Sequence, residues 1–292
     1  VCSSDLRLLM GTVINIKAVG PDPEKNRQAI SACLNRMEEL ENVLSRFKSE
    51  SQLSQLNRDG ELPHAHPVLL YLIEQSLNLS SLTDGAFDIS IKPVLDLYQN
   101  TPGVLPDADQ VKKVLSLVDY HRIGVEGDAL FLREYGMSIT LDGIAKGFIV
   151  DEGVAVLKKY GFSDVMVEAG GDLLGLGEKA PHSPWKIGLQ GPRSAMGNLM
   201  TTFNIQDQAV ATSGDYMQTF SPDFANHHII DPRTGYSSPE LASVSIFAPS
   251  AALADGLATA VMVMGKSAVP LFENLPNCKL YAITKDLQII QS

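Results

Sequence analysis

From residue 122 to the end of the chain, short apolar segments follow one another with little but turns between them. Strands are predicted at residues 122–127 and 128–135, which flank a turn, and at 137–141, 164–169, 185–190, 199–205, 208–212, 227–231, 241–248, 279–284 and 287–291. Such runs of neighbouring strands outnumber strict strand-helix-strand alternation. The pattern therefore predicts an α+β fold with an antiparallel-rich sheet, not a doubly wound parallel one. Helices are predicted where apolar residues recur at spacings of three and four. Ile30, Cys33, Leu34, Met37, Leu40 and Leu44 mark one over 28–46. Pro67 opens a second, to 82, and others fit 107–117, the segment after residue 142, 250–264 and 267–275. Residues 1–9 read as an N-terminal tail, before a single domain over 10–292 or two closely packed lobes.

The 292 residues carry a formal net charge of -11 and no cluster of Lys and Arg, which excludes a general nucleic-acid surface. Of the three cysteines, Cys33 lies on an apolar helix face and is expected to be buried; none has Cys-x-x-Cys spacing. The longest apolar run, 251–265, contains an Asp and is too short to span a bilayer, so a soluble body is expected. The start of the chain lacks the charged and apolar regions of a signal segment. Cys2 is compatible with a lipid-modified first residue after cleavage, or with an ordinary terminus.

Three stretches could carry chemistry. In "ITLDGIAKGFIVD" (139–151) a bend leads into a helix that Asp142 could cap. Lys146 falls in its first turn, facing the positive end of the helix dipole. Either an anion docks there, with Gly143 and Gly147 letting it approach the backbone, or the lysine is simply solvated. The spacing is not that of a P-loop. In "PSAALADGLATAVMVMG" (249–265) Asp255 has only Ala251, Ala252, Ala258 and Thr259 at helical spacing. An unpaired carboxylate there must find backbone donors or, with Thr259 one turn on, a hard ion such as Mg²⁺. In "HHIIDPRTGY" (227–236) adjacent strand histidines would point to opposite faces, so His227 and His228 cannot share an ion. Either is a general base or a structural group, and Asp231 is turn chemistry. The glycines of "VMVEAGGDLLGLG" (165–177) precede a strand, not a helix, which weakens a dinucleotide reading.

Taken in order, "MGT" (10–12), "SRFKSESQLSQLN" (45–57), "DGAFDIS" (84–90), "ITLDGIAKGFIVD", "VEAGGD" (167–172), "ATSGDY" (211–216), "HIIDPRTGY" (228–236) and "LASVSIFAPSAALADGLATAVMVMG" (241–265) resemble the FAD:protein FMN transferases, the ApbE-type flavin transferase family. The resemblance implies a Mg²⁺-dependent enzyme that moves FMN from FAD to a Ser or Thr hydroxyl of an acceptor protein and releases AMP. An FAD-binding protein, or an FAD pyrophosphatase without protein transfer, is the alternative. It further implies work at the periplasmic face of a bacterial inner membrane, on a flavoprotein subunit of a membrane redox complex, and favours Cys2 as a lipid anchor. Carried over by position, Met10, Phe47, Ala86, Phe87, Asp88, Thr140, Lys146 and Ile230 are the implied nucleotide contacts. The implied metal set is Asp255, Thr259 and the Gly143 carbonyl. His228 is the implied base, with Asp88 or an unassisted metal-polarised hydroxyl as competitor. Thr140 and Ala258 stand where many or some members have a carboxylate.

Overall fold

Met10 and Gly11 both adopt positive φ (53° and 69°), the requirement of the tight two-residue turn that matches strand twist. They join β1 (Cys2–Leu9) to β2 (Thr12–Val19) as an antiparallel hairpin. The computed structural model describes residues 2–100, 104–194 and 199–292. Residues 2–9 are thus paired backbone and not a tail; the Cys2 side chain lies outside the described part.

Asp22 caps α1 (Pro23–Leu44) through the amides of Glu24 and Lys25, and Pro23 occupies the first turn, where no amide is needed. Then come α2 (Gln52–Asp59), β3 (Glu61–Leu62), α3 (Pro67–Leu82), α4 (Lys92–Gln99) and α5 (Ala108–Leu115). After β4 (Ile123–Glu126) and β5 (Ala129–Leu132), α6 (Ala145–Lys159) leads to β6 (Val165–Ala169), β7 (Asp172–Leu176), β8 (Trp185–Gln190) and β9 (Leu199–Ile205). β10 (Gln208–Gly214), β11 (Leu241–Ala248), α7 (Ala251–Met264), β12 (Lys279–Thr284) and β13 (Ile289–Gln291) complete the order.

Eight strands form one sheet in the order β1-β2-β6-β7-β10-β11-β12-β13, every neighbouring pair antiparallel. Helices α1, α6 and α7 cover one face, where Ile14, Ile16, Val165, Val167, Val244 and Ile246 join the main core. The β8–β9 ribbon covers the other, with Trp185, Ile187 and Ile205 against Met166, Val210, Phe247 and Tyr281. Met166 faces the ribbon while its neighbours Val165 and Val167 face the helices, the two-residue period of a strand. All eight residues of β11 are buried because both its faces are covered, which fits a segment whose only polar side chains are the small Ser243 and Ser245.

Several expectations change. Residues 137–141 are extended but not a strand: the Asn57 side chain bridges Ile139 from both sides (2.7 and 2.8 Å), and Thr140 N donates to Ile89 O at 2.8 Å. A side-chain amide thus replaces a neighbouring strand. Residues 227–231 make only isolated bridges, Thr219 with His227 and Ile230 with Ser237. Asp142 does not cap α6; it pairs with Arg46 at 2.6 Å, and Ile144 at the cap position makes no side-chain bond. The piece after α7 is 3-10 helix, Gly265–Asn274.

Candidate active site

The start of α6 is the centre of the site. Lys146 in its first turn lies 2.9 Å from Asp172 Oδ2, where β7 begins. Asp172 is almost fully buried, and its Oδ2 is held by the Lys146 ammonium. Asp255 reaches across from α7 and accepts the Gly147 amide at 3.1 Å, supplying the cap that α6 lacks. The cation at the wrong end of the dipole is therefore offset by two buried carboxylates, and the lone helix carboxylate by a helix start and a lysine.

Burial raises Asp255 well above the usual carboxylate range, and the neighbouring Asp172 charge pushes it the same way. Burial also raises Asp172, against the opposing pull of Lys146. Burial alone would lower Lys146, but Asp172 and Asp255 outweigh it and keep the ammonium charged.

Gly143 sits against Thr259: a Cβ built on it would lie 2.9 Å from Thr259 Oγ1 and 3.3 Å from the Phe87 ring. The expected metal residues Gly143, Asp255 and Thr259 thus surround the same bend, joined by Asp172. Among the described residues no three His, Cys, Asp or Glu side chains gather as a metal cluster. Two buried carboxyls, a hydroxyl and backbone oxygen nevertheless fit a hard divalent ion that takes the rest of its shell from water and phosphate.

His227 and His228 diverge as expected, though not by strand geometry. His227 is fully buried; Nε2 donates to Ser238 O (3.1 Å), Nδ1 accepts the Ile229 amide (3.3 Å), and burial drives its pKa down to about 4. It is structural and neutral. His228 Nδ1 lies 3.1 Å from Gln218 O. A carbonyl can only accept, so Nδ1 carries the proton and Nε2 keeps its lone pair. Burial lowers the His228 pKa, while the charges of Asp142 and Lys146 act on it from the α6 bend.

The remaining expected contacts ring this centre unevenly. Phe47 is 74% exposed, and the Arg46 guanidinium lies 4.2 Å from its ring centroid while also gripping Asp142. Met10 N donates to Glu41 Oε1 (3.0 Å), tying the first hairpin to the end of α1. Thr140 Oγ1 accepts the Asp142 amide at 3.2 Å and shapes the bend. Ala86 and Phe87 are buried beside it, with Phe87 N bound to Thr83 Oγ1. Asp88 is committed to fold: Oδ1 accepts from Ser90 N and Oγ (2.8 and 2.6 Å) and Oδ2 from Tyr120 N (3.1 Å). Ile230 packs with Val94, Leu95 and Tyr98 in a satellite core.

Asp172 was missed by sequence reasoning, although a signal existed. It is the one charge in an otherwise apolar strand, directly after two glycines at positive φ (56° and 100°), which turn β6 back into β7. Gly170 admits no side chain there, because Thr12 from the first hairpin lies against it. Arg46 was missed too; its signal was weaker, being the step from the apolar helix to Phe47.

Charge of both signs is concentrated where one helix begins and another presents a carboxylate, with a neutral-leaning histidine within electrostatic reach. That combination suits an enzyme whose substrate carries phosphate. The chain belongs to the ApbE family, whose model matches residues 10–282. It is similar to the FAD:protein FMN transferases of Vibrio cholerae (30% identity, covering 88% of this chain and 80% of that protein) and Treponema pallidum (29%, 98% and 85%). Among solved structures it resembles the ApbE protein of Thermotoga maritima (TM-score 0.91, 28% identity, covering 100% of this chain and 97% of that one) and the flavin transferase ApbE from Vibrio cholerae (0.85, 27%, 100% and 96%).

Proposed function

We propose that the chain transfers the FMN half of FAD to a Ser or Thr hydroxyl of an acceptor protein, with Mg²⁺ bound at Asp255, Thr259 and the Gly143 carbonyl and AMP as the leaving product. The observation that carries this reading is the convergence of Lys146, Asp172 and Asp255 at the start of α6, where the Lys146 charge also reaches His228. The relatives' shared name, FAD:protein FMN transferase, supplies the substrates. In the reaction the acceptor oxygen bonds to the FMN-side phosphorus, the bridging P–O bond breaks, and the bond electrons leave with AMP. The hydroxyl proton goes to Nε2 of His228. Lys146 and the α6 start hold pyrophosphate charge, Phe47 on its Arg46 support offers a stacking face, and the carboxyls supply donors for the ion. When bound, Mg²⁺ would neutralise developing phosphate charge.

An acceptor in a membrane redox complex, a periplasmic location and a lipid on Cys2 complete the proposal. They rest on the family resemblance. The test is co-expression with a flavoprotein subunit of such a complex: FAD and Mg²⁺ should yield a fluorescent covalent adduct on the acceptor and AMP. Tight FAD binding with neither product would leave a flavin-binding protein, and free FMN with AMP but no adduct would leave a pyrophosphatase.

As a base, His228 must be neutral, so rate falls as pH drops through its pKa. Since that pKa lies below the usual 6.5, the acid limb of kcat should fall below pH 6.5. His228→Gln should slow transfer by roughly 10²–10⁴-fold and remove that limb. A variant profile that kept the wild-type limb would assign it to another group.

A further inference from the structure

Asp255 is not alone in bridging α6 and α7. Asp151, in the second turn of α6, reaches the other way: Oδ1 accepts the Ala251 amide at 2.7 Å and Oδ2 the Ala252 amide at 2.9 Å. Each helix therefore receives at its first turn a carboxylate from the other, Asp151 into α7 and Asp255 into α6. The crossing is close enough that Gly147 packs on the Ala251 carbonyl with no space for a Cβ. One carboxylate oxygen on each of two successive amides is a two-point attachment. It fixes both the rotation of α7 about its axis and its height along α6, which a single bond would leave free.

That restraint acts where it matters for the site. Asp255 lies one helical turn beyond Ala251 and Ala252, and Thr259 one turn further, so any rotation of the first turn carries both away from Gly143 and Asp172. Asp151 spends both carboxylate oxygens on the Ala251 and Ala252 amides, and among the described residues it makes no hydrogen bond to a candidate cation donor. We infer that Asp151 is a positioning residue for the cation site, aligning Asp255 and Thr259 through the start of α7. The inference rests on the proposed role of Asp255 in holding a divalent ion.

The experiment titrates Mn²⁺ alone into the full chain, follows free Mn²⁺ by its EPR signal, and works well below every variant's melting temperature. Wild type should bind, and Asp151→Ala should bind at least about tenfold more weakly, the scale of losing an outer support of a metal ligand. Asp151→Asn, which keeps one acceptor and the side chain's shape, should fall between; if the Ala variant does not fold, Asn carries the test. Leu157→Ala, a truncation in the fully buried half of α6, supplies a destabilised control and should stay within about twofold of wild type. Unchanged affinity in the Asp151 variants, or an equal loss in the Leu157 variant, would overturn the positioning role. A wild type that bound no Mn²⁺ would instead overturn the cation reading of Asp255 itself.

Discussion

Asp255→Ala should leave a folded protein that no longer transfers FMN, with kcat down at least about a thousandfold, equivalent to some 4 kcal/mol of lost transition-state stabilisation. The loss is large because Asp255 serves two charges: it caps the α6 start at Gly147 N, and it faces Asp172 and Lys146 inside a buried cluster. Stability should change little. Burial disfavours the ionised Asp255, so removing the group relieves a desolvation cost that offsets the lost Gly147 bond, while Lys146 and Asp172 remain paired. The check is adduct mass and AMP release, with a thermal melt beside them; undiminished turnover would return Asp255 to a purely capping role.

Gly147→Ala is expected to be the more damaging change to the fold. Its new methyl would meet the Ala251 carbonyl and the Ala252 amide, which are backbone and cannot rotate aside. Separating α6 from α7 should cost about 3 kcal/mol, the upper end for overpacking, and lower Tm by roughly 5–10 °C. It also draws Asp255 off the Gly147 amide, so activity should fall with stability. Calorimetry decides: a variant melting with wild type would mean that the two helices have slack at this crossing.

The sequence displayed its periodic elements openly. α1 followed from apolar spacing, α3 from its N-terminal proline, and β11 from a short, largely apolar segment, because these signals lie within a few neighbouring positions. Residues 137–141 and 227–231 looked equally strand-like, yet their backbone partners are the Asn57 side chain and short bridges from distant loops. No local pattern encodes such partners. The same limit applied at the site. Lys146 and Asp255 were visible as misfits, each with a charge its own helix could not balance, but their common counterpart Asp172 sits on a strand reached only through the sheet. Asp142 matched the composition of a cap and was drawn elsewhere by Arg46. Among the implied nucleotide contacts, Phe47 is exposed beside the bend while Ile230 belongs to a separate apolar cluster.

The sheet order has a consequence for how the molecule assembles. Most adjacent strands are close in sequence, but β2 pairs with β6, Ala18 against Val165, across a span that contains α1 through α6. Closing so long a loop is paid in chain entropy before the contacts it brings can repay it, and topologies of this kind fold slowly. Lys146 lies within that span, Asp172 just beyond its closing strand and Asp255 later still. The β2–β6 ladder is therefore the seam of the molecule: a nascent or partly opened chain lacking it has strands and helices, but the sheet that carries Asp172 is not yet closed on α1 through α6.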